Sequence, residues 1–168
     1  LDIGLGNLLD LLGRRLQLEP PDAVGVLKAA EKGKRLLDLP YSVKGMNTSY
    51  TGLLTAAGKL SASPEDVCYS VQETAFSMLC EAAEKALVIT KKKQAVLVGG
   101  NARNKRLQEM VRLVCREHGV RFGVPSFEYC GDNAGMIALT GFFQLAKKTG
   151  VGREPSQRVR IDEETISW

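Results

Sequence analysis

A helix-rich α/β fold is predicted by three stretches of the sequence. LVGGNARNKRLQEM, residues 97 to 110, passes from small apolar residues through a glycine pair into a basic amphipathic segment, the order of a strand, a turn and a helix start. Ser63-Pro64-Glu65-Asp66 sets an N-cap residue, a proline suited to the first helical position and two acids beside the positive end of a helix. From residue 94 onward, strand, helix, strand and helix follow one another over short loops, which predicts a right-handed crossover and parallel pairing.

Taken in order, LDIGLGNLLDLLGRRLQL reads as a helix already under way, with an apolar stripe at Leu5, Leu8, Leu9, Leu12 and Leu16. That start, on Leu1 rather than Met, predicts that the chain is part of a larger protein. EPPD at 19 to 22 breaks the helix, and AVGVLKAAEKGKRLLDL predicts a second one closed by Pro40. YSVKGMNTSYTG, residues 41 to 52, is rich in β-branched and aromatic residues between breakers and predicts a strand, with a short helix from Leu53. The helix opened by Ser63 carries Val67, Val71, Met78, Leu79, Ala82, Ala86 and Leu87 on one face and ends near Lys91-Lys92-Lys93, a run suited to a solvated C-terminus. QAVLVGG and GVRFGVPS are short strands around a helix that Asn104 can cap. FEYCGDNAG is a loop into a last helix through Met136, Ile137, Leu139, Phe143 and Leu145. The tail from Thr149 to Trp168, with Arg153, Arg158 and Arg160, reads as irregular, with an edge strand expected at its end.

Bulk properties exclude several classes. The 168 residues are 44% hydrophobic and 25% charged, which is ordinary for a folded domain rather than a disordered chain. Twenty-three Lys and Arg against 19 Asp and Glu leave +4, which permits an RNA partner without demanding one. Cys68, Cys80, Cys115 and Cys130 form no C-x-x-C pair, so they read as reduced core thiols and not as a zinc knuckle or a disulfide framework. No run long and apolar enough for a membrane span occurs, and the expectation is an intracellular protein with no membrane partner.

Three places carry candidate chemistry. Gly99 and Gly100 lie where open α/β sheets bind ligands, at the carboxyl end of a strand before a helix, with Asn104 offering a donor and an acceptor at the mouth. Neither a Walker A loop nor a G-x-G-x-x-G pattern is present, and a glycine pair alone is more often structural. Asp132, beside Asn133 and 28 residues after Asn104, either caps the last helix, the stronger local expectation, or aims a carboxylate into the same crevice to hold a metal or orient a phosphate. Gly6 and Asp10 share a helical face. Glycine within a helix costs about 1 kcal/mol relative to Ala, so it marks the close approach of a packed helix or of a ligand. His118, the single histidine, falls before Gly119 at a helix C-terminus, where it suits the dipole and needs no catalytic role.

DIGLGNLLD, LPYSVKGMNTSYTGLL, SPEDVCYSVQETAFSML, LVGGNARNKRLQEM and YCGDNAGMIALTG together resemble, in order and over nearly the whole chain, the C-terminal half of the tRNA threonylcarbamoyladenosine synthesis family. The resemblance is to its archaeal and eukaryotic form, the catalytic subunit of the KEOPS complex, formerly called an O-sialoglycoprotein endopeptidase. It implies the C-terminal half of an actin-like ATPase fold, of the sugar kinase and heat-shock chaperone superfamily, helix-rich with a small mixed sheet. Residues 1–168 would be a single fragment without the N-terminal actin-like domain. The implied activity is transfer of threonylcarbamoyl from threonylcarbamoyl-AMP to N6 of the tRNA adenosine beside the anticodon.

The same resemblance implies roles for residues. Gly99, Gly100 and Asn104 match the adenosine-binding turn, Gly6 and Asp10 the ribose side, and Asp132 the catalytic metal ligand. One divalent metal per subunit, Fe or Zn, and ATP or threonylcarbamoyl-AMP are the implied cofactors. The implied partners are tRNA, the protein kinase subunit and small dimerisation subunit of KEOPS, and the missing N-terminal domain with its metal-binding histidines. The compartment would be the cytoplasm, with the nucleus second. Without that domain the fragment is expected to be inactive. Departures from the family pattern are Asn101 for Val, Asn47 for Asp, Pro20-Pro21-Asp22-Ala23 for Pro-Gly-Gly-Pro, and a glycine displaced by one place in Asp132-Asn133-Ala134-Gly135-Met136. Two other readings are a metal-dependent endopeptidase-type hydrolase, for which no H-E-x-x-H helix, activated Ser or Cys-His pair is present, and a non-catalytic ATP-binding scaffold.

Overall fold

A computed structural model describes residues 2–147, so the arginines and the edge strand expected in the tail lie outside the described residues. Its helices are α1 (Leu5–Arg15), α2 (Ala23–Ala30), α3 (Thr51–Ala57), α4 (Pro64–Thr90), α5 (Lys105–Glu117) and α6 (Ala134–Ala146). The strands are β1 (Val43–Lys44), β2 (Asn47–Thr48), β3 (Gln94–Val96) and β4 (Arg121–Gly123).

The axis of the molecule is α4, 27 residues long. The hydroxyl of Ser63 accepts a hydrogen bond from Asp66 N, Pro64 opens the helix, and Lys91 closes it in the left-handed conformation at φ 53°. Its middle is buried nearly all round, because two apolar clusters meet on it. The first joins Leu8, Leu9 and Leu12 of α1, Val26 of α2 and Leu53 of α3 to Val67, Val71 and Met78. The second joins Phe76 and Cys80 to Leu107, Val111 and Cys115 of α5 and to Val120 before β4. All four cysteines are buried and free.

The expected parallel unit is present. β3 pairs with β4, Ala95 opposite Phe122, with α5 between them in sequence. Ala95 and Leu97 pack on the second cluster, whereas Val96 and Val98 alternate outward and are exposed. The sheet itself departs from the expected single mixed one: among the described residues there are two separate two-stranded pairs, β3 with β4 and an antiparallel β1 with β2.

Two predicted elements change. The strand expected over residues 41 to 52 is a hairpin, Lys44 opposite Asn47, turning at Gly45 with φ +62°. Glycine at the first central position of a two-residue loop supplies the positive φ that such turns require. The second helix stops at Ala30 instead of running to Pro40, and the residues after it are tied to α4 from the side. The Asp66 carboxylate accepts from Lys34 N and Arg35 N, and the Ser70 hydroxyl accepts from Leu37 N. A Cβ on Gly33 would fall 2.4 Å from Tyr69 Cβ and 2.6 Å from Glu65 O, so only glycine lets this strap pass α4 so closely.

α6 differs from the other helices. It contains no charged residue and buries none of its residues, with Ile137, Leu139, Phe142 and Leu145 all more than half exposed.

Candidate nucleotide-binding site

The site is built around one tight helical turn, Gly100–Arg103, between β3 and α5. Gly99 enters it at φ 89° and ψ 172°, a region that side chains other than glycine avoid. No atom lies within 4 Å of where a Cβ would stand on Gly99 or Gly100, so the pair presents bare backbone to open space. The turn is held from behind: Ala102 is fully buried, Ala102 N donates to Gly99 O, and Gln108 Nε2 donates to Ala102 O at 2.6 Å. Asn104 leaves the turn and caps α5, its Oδ1 accepting from Leu107 N at 2.9 Å. Its amide nitrogen has no partner among the described residues. One side chain thus starts the helix and leaves a donor at the mouth.

Two other segments meet this turn. A Cβ on Gly6 would stand 3.6 Å from Asn101 Nδ2, which sets the first turn of α1 against the glycine pair's own segment. On the other flank Arg103 reaches the loop that leads to Asp132. Its Nε donates to Phe127 O at 3.1 Å and its guanidinium lies over the Phe127 ring, 4.4 Å from the centroid.

The two carboxylates behave differently. Asp10, placed on the ligand side by the resemblance, is half-buried and its Oδ1 accepts from Ala23 N at 2.9 Å, helping to start α2. Only its second oxygen is left for anything else. Asp132 was expected on local grounds to cap the last helix, but the cap is Asn133, whose Oδ1 accepts from Met136 N at 2.9 Å. Asp132 is exposed instead, lining a hollow of about 430 Å³ with Met136 and Ile137. Among the described residues no three His, Cys, Asp or Glu side chains are grouped to hold a metal ion. The described donors therefore do not fit a metal by themselves.

Residues missed by the sequence reading are Asn101, Arg103 and Asp2. The Asp2 carboxylate accepts from Tyr50 N and from the amide and hydroxyl of Thr51, anchoring the start of α3. Hydrogen bonding from the Thr51 hydroxyl first and the Ser49 side chain second holds its pKa well below the usual carboxylate range. Such long-range partners leave no local pattern. A larger hollow, about 620 Å³ between α4 and α5 and lined by Cys80, Glu84, Arg106 and Met110, shares no residue with the glycine turn.

Residues 1–139 match the family described as TsaD: tRNA N6-adenosine threonylcarbamoyltransferase. The chain belongs to the TsaD family. A probable bifunctional tRNA threonylcarbamoyladenosine biosynthesis protein of Methanothermobacter thermautotrophicus is 46% identical over 174 residues, covering 100% of this chain and 33% of its own length. A tRNA N6-adenosine threonylcarbamoyltransferase of Methanothrix thermoacetophila is 44% identical over 173 residues, covering 100% of this chain and 53% of its own. The chain thus spans about a third to a half of these TsaD relatives. Among solved structures, HypF of T. kodakarensis superposes with a TM-score of 0.68 at 25% identity, over 85% of this chain and 20% of that one. No helix among the described residues of this TsaD member is long and apolar enough to cross a membrane.

Proposed function

We propose that this chain is the nucleotide-holding half of a tRNA N6-adenosine threonylcarbamoyltransferase. The observation that carries the reading is the convergence of Gly6 and of the Asp132 loop on the turn of residues 99–104, within a chain of the TsaD family. Bare backbone at Gly99 and Gly100 suits the close approach of a flat adenosine, and the Asn104 amide suits a hydrogen bond to it. In the transfer, N6 of the tRNA adenosine attacks the carbamoyl carbon of threonylcarbamoyl-AMP. A C–N bond forms, the bond to the phosphate oxygen breaks, AMP leaves and the amine loses a proton. The residues of this chain hold the AMP portion still while that exchange occurs, and positioning of this kind is a large part of the rate enhancement of two-substrate reactions.

The finer assignments rest on the resemblance. Under this reading the fold is the C-terminal half of an actin-like ATPase, and the N-terminal half covers the apolar face of α6, which is otherwise costly to expose. Asp132 contributes one carboxylate to a divalent metal, Fe or Zn, whose other ligands come from outside the described residues. Assembly with the KEOPS subunits in the cytoplasm or nucleus belongs to the same reading. The experiment is threonylcarbamoyl transfer to tRNA by the full-length protein and by its Asp132→Asn variant. Transfer that falls by more than a hundredfold in the variant supports the proposal, and undiminished transfer contradicts it.

A further inference from the structure

We infer that Arg103 is a positioning residue that clamps the Asp132 loop onto the nucleotide turn. The inference deepens the proposed function, because it gives a role in that site to a side chain which need touch no substrate.

Three contacts converge on one exposed guanidinium. The Nε hydrogen bond to Phe127 O fixes the loop backbone, and the stacking of the guanidinium on the Phe127 ring fixes the loop's side chain. The third contact is at Gly131, next to Asp132. A methyl group there would lie 2.7 Å from Arg103 Nη2 and 3.2 Å from Cζ, so glycine at 131 leaves the space that the guanidinium fills. Otherwise the loop is held by the buried Cys130 and by local bonds only: Tyr129 N to Ser126 O, Cys130 N to Phe127 O, the Cys130 thiol to Pro125 O and Asn133 Nδ2 to Gly131 O. Phe127 and Tyr129 are 69% and 61% exposed, and α6 after the loop buries nothing. Arg103 also sits one residue before Asn104, so the segment that carries the nucleotide donor carries the clamp. A planar fork that donates and stacks at once is a property of Arg that Lys lacks.

The test is made in the full-length protein with Arg103→Ala, Arg103→Lys and Gly131→Ala. Gly131 has no positive φ, so alanine there is free of backbone strain and acts by displacing the guanidinium. Amide exchange at Tyr129 and Cys130 is expected to quicken at least tenfold in all three. The kcat for transfer is expected to fall at least tenfold, with KM for the nucleotide within about twofold of wild type. Unchanged exchange or unchanged kcat in Arg103→Ala overturns the inference. Full rescue by Arg103→Lys also overturns it, since that is the signature of a charge acting directly on phosphate. Asp132→Asn, assayed in parallel, separates the two failures: its full activity contradicts the site assignment itself, whereas its inactivity beside a normal Arg103→Ala contradicts the clamp alone.

Discussion

Gly6 and Asn101, 95 residues apart in sequence, face one another so closely that a methyl group on Gly6 would rest 3.6 Å from the Asn101 side-chain nitrogen. That distance is an ordinary van der Waals contact, so the space above Gly6 is narrow without being closed. Gly6 also has helical, negative φ, so alanine can replace it. Gly6→Ala is expected to stabilise the fold by about 0.4–1 kcal/mol through helix propensity and reduced freedom of the unfolded chain. If the gap admits a ribose, the same change lowers nucleotide affinity, by about tenfold or more for a displacement worth 1.4 kcal/mol. Thermal unfolding and nucleotide titration of one variant check both signs.

Gly99 differs from Gly6 in kind. Open space surrounds it, but its φ of 89° is unfavourable for any other residue. Gly99→Ala is expected to cost about 1–3 kcal/mol and to deform the turn. Urea unfolding measures the loss, and nucleotide binding should weaken with it.

Phe76 is fully buried where α4 meets α5 and the parallel strands. Truncation to alanine leaves a cavity that the packed neighbours cannot close, at a cost of about 3–5 kcal/mol. Equilibrium denaturation of Phe76→Ala should show that loss with little change in slope.

The acid limb of stability is set in part by Asp66. Hydrogen bonds from Lys34 N and then Arg35 N hold its pKa below the ordinary value of 3.8. A carboxylate with a depressed folded pKa contributes stability that is fully present above its unfolded value and is lost as pH falls through the folded one. Asp66→Asn should therefore lower stability at neutral pH and flatten its decline below about pH 4. Unfolding curves at pH 7 and pH 3 give the comparison.

Burial pushes the Cys68 thiol up to about 12 and the Cys80 thiol up to about 11. The thiolate is the nucleophile, so both should resist iodoacetamide at pH 8 in the native protein and react only on unfolding. Peptide mapping after timed alkylation follows each cysteine separately.

What the sequence made legible was local. The start of α4 at Ser63-Pro64, its end at the lysine run and the Asn104 cap follow from residues adjacent in sequence, and the parallel pairing of β3 with β4 follows from the order of consecutive elements. The early end of α2 was not legible, because it depends on Asp66 and Ser70 reaching across from another helix. The cap of α6 was placed one residue early, since Asp132 and Asn133 are both good caps and only the path of the loop chooses between them. At the site, the glycine pair and Asn104 stood out as a pattern. Asn101 and Arg103 did not, because each matters through one contact to a distant segment, Gly6 in one case and residues 127 to 131 in the other.

The most direct test of the central claim is calorimetric titration of ATP into the full-length protein and into Asn104→Ser. Serine keeps a cap on α5 and removes only the amide donor, whereas alanine would also lose about 1 kcal/mol of helix capping. Binding by the wild type that weakens at least tenfold in Asn104→Ser, with thermal stability unchanged, is the predicted result. Equal affinity in both proteins would contradict the assignment of residues 99–104 as the adenosine-binding turn.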